Sequence, residues 1–286
     1  MATRSSVPAK VESRLKESLK RFQPILSSAL ARDVNESDTV AIVTDILAEV
    51  FGYDKYHEVT SEYVIRGTFC DLAVEIEGQI RLLLEVKAIG LDLKEKHMRQ
   101  AANYAANQGV EWVVLTNGIS WRVYKMDFGK GIGEDQVLEL NLMEMNPREA
   151  ATLDCLYLLT REGLMKSALP DYYVHKQATS RFILGALVLS DPVVTVIRRE
   201  LKKISPVKVS IDQVTEVLER EVLKREVAEG EKAEEARKKV AKATAREAKT
   251  RTKVEPSPVD SPITEAESVA ADMVAEGPGD PADPVG

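Results

Sequence analysis

Two runs of alternating apolar and polar residues meet at a glycine turn early in the chain. Thr68-Phe69-Cys70-Asp71-Leu72-Ala73-Val74-Glu75-Ile76 is followed, across Glu77-Gly78-Gln79, by Ile80-Arg81-Leu82-Leu83-Leu84-Glu85-Val86-Lys87. Period-two alternation around such a turn predicts a β-hairpin. A three-residue loop over 77–79, with one residue left-handed, sets its register. Ile76 then faces Ile80, Val74 faces Leu82 and Leu72 faces Leu84, an apolar face that Val86 extends. The other face pairs Glu75 with Arg81 and sets Asp71 opposite Glu85, with Lys87 one step along. A two-residue loop slips the register by one and scrambles both faces.

Around this hairpin the pattern alternates between helix and strand. Residues up to about Asp33 read as a mixed-charge helix, a docking or capping element. Asn35 is placed to cap a second helix, in which Val40, Val43, Ile46, Leu47, Val50 and Phe51 recur at helical spacing before Gly52 ends it. Further strands are expected near His57–Ile65, Trp112–Thr116 and Ser120–Lys125, the last two joined across Asn117-Gly118, with an edge strand at Gln136–Leu142. A helix spans about Leu93–Gln108. The fold class is α/β (α+β): a mixed central sheet flanked by helices. From Asn146-Pro147 onward only helical stripes occur. The organisation expected is an N-terminal helical element (1–32), the sheet domain (33–145), a helical region (146–228), a charged helical extension (229–253) and a disordered tail (254–286).

The net charge of −7 misrepresents the body of the protein. Residues from Val254 onward carry eight carboxylates and no Lys or Arg, which leaves the remainder near neutrality, at about +1. An acidic total is therefore no argument against a nucleic-acid partner. Cys70 and Cys155 show no metal-like or redox-like spacing, and His57, His97 and His175 are scattered, which disfavours a zinc site. No run approaches the roughly twenty apolar residues of a membrane span. The N-terminus has no signal-peptide core. These features lead to an expectation of a cytoplasmic protein with reduced thiols and no membrane contact.

The chemistry concentrates on the polar face of the hairpin. A lone Glu-x-Lys triplet is ordinarily a solvated strand face. Here Glu85 and Lys87 share a face of a strongly apolar strand, and Asp71 stands opposite. Two facing acids are unfavourable unless a cation lies between them, so the register points to a divalent ion with an ammonium beside it. Glu36 projects from the first turn of its helix on the side of Val40, Val43 and Leu47. Gln100 and Tyr104, four residues apart, share a helix face and offer an amide and a phenol; the alternative is a surface Gln beside a half-buried Tyr. Lys94, Lys96 and Arg99 flank that helix, either as a solvated face or as phosphate contacts. Gly129-Lys130-Gly131-Ile132-Gly133 lacks the Gly-Lys-Ser/Thr ending of a phosphate loop and precedes no helix, so it reads as a turn.

Glu36, Gly52-Tyr53-Asp54, Asp71, Glu85-x-Lys87 and Gln100-x-x-x-Tyr104 occur in the order found in PD-(D/E)xK nucleases. Over roughly residues 33–126 the chain resembles the N-terminal nuclease domain of type I restriction enzyme R subunits. The resemblance implies a restriction-endonuclease-like fold and Mg2+- or Mn2+-dependent hydrolysis of DNA. Asp71, Glu85 and the Val86 carbonyl would be the metal ligands, with Lys87 orienting or activating water. Glu36 would contact metal or water, and Gln100 and Tyr104 would position the lysine or the DNA backbone. Cys70 stands where the family motif has proline. R subunits also carry an ATP-driven motor, for which this sequence offers no motif. The functions expected are an endonuclease of restriction or repair type, alone or with a partner motor subunit, or a catalytically weak nuclease-fold module that binds DNA or a complex. A third reading is a scaffold. Cutting both strands would call for a homodimer or two nicks.

Overall fold

The computed structural model describes residues 7–65, 68–129 and 131–251. The tail expected at 254–286 lies outside them, as does Lys130 of the glycine-rich turn. Six strands form one sheet: β1 (Val59–Ile65), β2 (Thr68–Ile76), β3 (Gln79–Val86), β4 (Trp112–Thr116), β5 (Ser120–Asp127) and β6 (Gly133–Asn141). Spatial order follows chain order. Every neighbouring pair is antiparallel except β3 and β4, whose parallel pairing needs a crossover. The helices before, within and after the sheet are α1 (Ala9–Ala31), α2 (Glu36–Glu49) and α3 (Glu95–Gln108), α3 forming the crossover, then α4 (Ala150–Tyr157), α5 (Arg161–Met165) and α6 (Ala168–Ala178). They are followed by α7 (Arg181–Val188), α8 (Asp191–Ile204), α9 (Ile211–Val217), a π-turn at Leu218–Val222, α10 (Arg225–Ala228) and α11 (Glu231–Arg251). The mixed α/β sheet with flanking helices and a helical C-terminal part is as the pattern predicts.

Alternation along the central strands separates two cores. Leu72, Val74, Leu82, Leu84, Val86, Val114 and Trp121 pack with α1, α2 and α4. Ala73, Leu83, Val113 and Leu115 pack instead under α3, against Met98, Ala101, Ala102, Tyr104 and Ala105. The small alanines let α3 sit close to the sheet. The first helix is more than a cap: Val11, Leu15, Leu19, Phe22, Leu26 and Ala29 form a buried stripe along its whole length and belong to the larger core.

The β2–β3 hairpin corrects the expected turn. Glu77 and Gly78 both have positive φ (55° and 73°), and Ile76 pairs with Gln79, so the loop has two residues. A turn left-handed at both positions matches strand twist. A bulge then restores the phase: Glu75 pairs with Ile80, Val74 with Leu82, and Arg81 is the extra residue. The pairs Val74–Leu82 and Leu72–Leu84 form as expected, whereas Ile76–Ile80 and Glu75–Arg81 do not. Ile76 enters the larger core and Ile80 the smaller. At the β4–β5 hairpin, Gly118 and Ile119, rather than Asn117 and Gly118, are central; Gly118 has φ 82°. Among the described residues no single helix is long and apolar enough to cross a membrane.

Candidate active site

The site gathers where the parallel strands β3 and β4 end and where α2 and α3 begin, the crevice that open α/β sheets leave at the carboxyl ends of their strands. Local interactions hold each contributor. Asn35 caps α2, its side chain accepting from the Asp38 N–H at 2.9 Å, which fixes Glu36 in the first turn. The segment between β3 and α3 is tied down by Asn117, whose amide donates to the carbonyls of Ile89 (3.2 Å) and Leu91 (3.0 Å), and by Arg122, which donates to Leu93 O at 2.9 Å. Gly90 in that segment lies against the turn after α1: a Cβ there would stand 2.6 Å from Asp33 Oδ1. The two loops carrying Glu36 and α3 therefore touch.

Four of the anticipated side chains meet. Lys87 Nζ is 2.8 Å from Glu85 Oε1 and 3.3 Å from Glu36 Oε1. Asp71 Oδ2 accepts from the Val86 N–H at 2.7 Å. Glu85 is fully buried, at 0 % exposure. The Lys87 ammonium is its close partner through Oε1, and Oε2 has no hydrogen-bond donor among the described residues. Burial pushes Glu85 up to about 7, against the Lys87 contact and with Asp71 adding to the rise. Asp71 is also raised, by burial first, with the Val86 N–H and Lys87 opposing. Burial pulls Lys87 down, but Glu85, Asp71 and Glu36 together outweigh it and leave its pKa raised, so it is a firm ammonium. Lys87 and the Val86 N–H thus already provide positive counterparts to the two acids, and the register by itself does not demand a metal.

Gln100 and Tyr104 bond to each other, Nε2 to Oη at 3.1 Å, and neither hydrogen-bonds to Asp71, Glu85 or Lys87. Tyr104 is buried in the core beneath α3, and Gln100 is exposed. Cys70, in the position of the motif proline, donates its thiol to Leu84 O at 3.2 Å. Burial, then Glu85 and Asp71, push that thiol up to about 12, which keeps it protonated and inert. Sequence reasoning missed the clamping roles of Asn117 and Arg122. The Asn-Gly turn signal at 117–118 marked the place but not the hydrogen bonds that Asn117 makes back to the β3–α3 segment.

The donor set suits a hard divalent ion. A buried carboxylate with one oxygen free of any donor, beside a second carboxylate, offers oxygen ligands, and Mg2+ commonly takes only one or two protein carboxylates while keeping several waters. Among the described residues there is no group of three or more His, Cys, Asp or Glu able to hold a metal ion. Any ion here would therefore lean on water, main chain or substrate for its remaining ligands.

No curated protein and no solved structure matches the chain. A family model does match, over residues 42–138, about a third of the chain, which include Asp71, Glu85, Lys87, Gln100 and Tyr104. The segment that builds the site is thus similar to the type I restriction enzyme R protein N terminus, as its motifs implied.

Proposed function

We propose that this protein is a metal-dependent deoxyribonuclease that hydrolyses phosphodiesters at the Asp71–Glu85–Lys87 corner, within a restriction or repair system. The family match gives the coarser statement, a restriction-enzyme-related nuclease domain with a DNA and restriction-complex context. The observation that carries this reading is Glu85, a fully buried carboxylate paired with Lys87 at 2.8 Å, its Oε2 without a donor among the described residues, in the same crevice as a second acid, Asp71. Burying such a cluster is costly even when its charges are paired, and sites of perturbed ionisation in a crevice are candidates for function.

In this reading Asp71, Glu85 and the Val86 carbonyl would hold Mg2+ or Mn2+. When bound, the ion supplies Lewis acidity toward the phosphodiester and its attacking water. Lys87, beside those ligands, orients or activates the attacking water and offsets charge gathering on the phosphoryl group. Glu36 holds the Lys87 ammonium from the side of α2. Tyr104 and Gln100 form the wall of α3 beside the strands. A homodimer has no support in the fold or the family match and forms no part of this reading.

The test is incubation of the full chain with supercoiled circular DNA in Mg2+ or Mn2+ and in EDTA. Nicked circles only with metal are expected. Salt-sensitive DNA binding with no cutting in either metal would replace the nuclease with a binding module of the same fold.

A further inference from the structure

We propose that the exposed face of α3, formed by Lys96, Arg99, Asn103 and Asn107 with Lys94 at its start, is the surface along which duplex DNA lies by its phosphate backbone on its way to the Glu85–Lys87 corner. The inference rests on the nuclease reading for its direction, and goes beyond it by deciding between the two roles open to Lys94, Lys96 and Arg99 and assigning the whole face to a duplex. These residues recur at three- and four-residue spacing, so they form one stripe, opposite the alanines that seat the helix on the sheet. The stripe is about 16 Å long, which spans the axial rise of about five base pairs.

Beyond Glu95, its first residue, the helix carries charge of one sign only. From Lys96 to Gln108 there is no carboxylate, although acids make up 46 of the 286 residues. An ordinary solvated helix face mixes signs, as α11 does with Glu231, Glu234 and Glu235 among its lysines. Several basic side chains around the sheet are paired: Arg14 with Glu162, Lys55 with Asp45, Lys125 with Glu111 and Arg161 with Glu58. Lys94, Lys96 and Arg99 have no such partner among the described residues, and all three are exposed. Their charge is held at the mouth of the site: the half-buried His97, one turn into α3, is kept below its usual pKa by burial and then by Lys96, Lys87 and Lys94 together. Cations without an ion-pair partner and amide donors in a row, with Glu95 as the one acid of the helix, match a polyanion.

Equilibrium binding of a short duplex, measured in EDTA over a salt series, tests this without any cutting. Three proteins are compared: the wild type, Lys96→Ala with Arg99→Ala, and, as a control on a distant helix, Lys238→Ala with Lys239→Ala. The slope of log K against log salt is expected to fall by about two in the α3 pair, at roughly 0.9 per phosphate contact, and to keep its wild-type value in the α11 pair. An unchanged slope in the α3 pair, an equal loss in both pairs, or no salt-dependent binding by the wild type would each overturn the proposal. Because no metal is present, binding through α3 by a protein that never cuts would sink the nuclease reading alone.

Discussion

Glu85 sits where a carboxylate is costly: fully buried, with Lys87 on Oε1 but no donor on Oε2 among the described residues, and pushed up to about 7 chiefly by burial. A buried polar group left unsatisfied costs on the order of 1–3 kcal/mol. Replacing Glu85 with Gln removes the charge while keeping the shape. In EDTA at neutral pH, Glu85→Gln is therefore expected to raise the melting temperature by several degrees, the equivalent of about 1 kcal/mol or more after the loss of the Lys87 contact is set against it. A lower melting temperature would mean that the pair stabilises the fold and need serve no chemistry. Arg14 and Glu162 show the opposite arrangement. The guanidinium donates to both carboxylate oxygens at 2.7 Å, and although burial pushes Glu162 up, the Arg14 hydrogen bonds more than reverse this and leave its pKa lowered. A carboxylate depressed on folding adds stability that is complete above its unfolded value, about 4.5, and is lost as pH falls through the folded value. Glu162→Gln should accordingly cost about 1 kcal/mol near neutrality and flatten the fall in melting temperature below about pH 4.5.

The elements nearest the site are fixed by a few interactions that can be removed singly. Helix α2 ends at Gly52, whose φ of 82° is left-handed, and Arg14 closes over that end, donating to the carbonyls of Val50 (3.2 Å) and Phe51 (3.3 Å). A Cβ at Gly52 would stand 2.5 Å from the Arg14 guanidinium carbon. Gly52→Ala should therefore destabilise by about 2 kcal/mol, from the left-handed backbone and the displaced arginine together, as read by urea unfolding. Asn117→Ala would free the segment between β3 and α3 and cost about 2 kcal/mol in the same assay, since the Ile89 and Leu91 carbonyls would both go without their amide donor. The same elements show what the sequence made legible. Strands Thr68–Ile76 and Trp112–Thr116, the Asn35 cap and the Gly52 stop were readable because each depends on local chemistry. The β2–β3 turn was not, because a two-residue loop and a bulge at Arg81 together give nearly the register of a three-residue loop. Alternation counts faces and cannot see two compensating shifts. Asp71, Glu85, Lys87 and Glu36 were legible as a cluster. That Gln100 and Tyr104 bond to each other rather than to Lys87 depends on helix placement, which spacing does not encode.

At the scale of the molecule, stability is unevenly spread. Two cores enclose the sheet, whereas α7 and α11 meet through a small cluster whose buried members are Ala186, Ala236 and Val240. Leu184, Leu187, Val196 and Ile204 remain exposed on the C-terminal helices. Local opening tracks buried apolar contact, so amides of α7 and α11 are expected to exchange with solvent well before those of β3 and β4. Equal protection across both regions in a hydrogen-exchange series would show one cooperative unit instead. The site lies wholly on the better-packed part, where rigid strands and clamped loops can hold Asp71, Glu85 and Lys87 in register. The most direct measurement is nicking of supercoiled DNA in Mg2+ by the full chain, comparing wild type with Glu85→Gln and Lys87→Met once both variants are shown to be folded. Metal-dependent nicking that falls by about a hundredfold or more in each variant is the predicted result. Nicking at the wild-type rate by either folded variant would contradict the assignment of this corner as the catalytic centre.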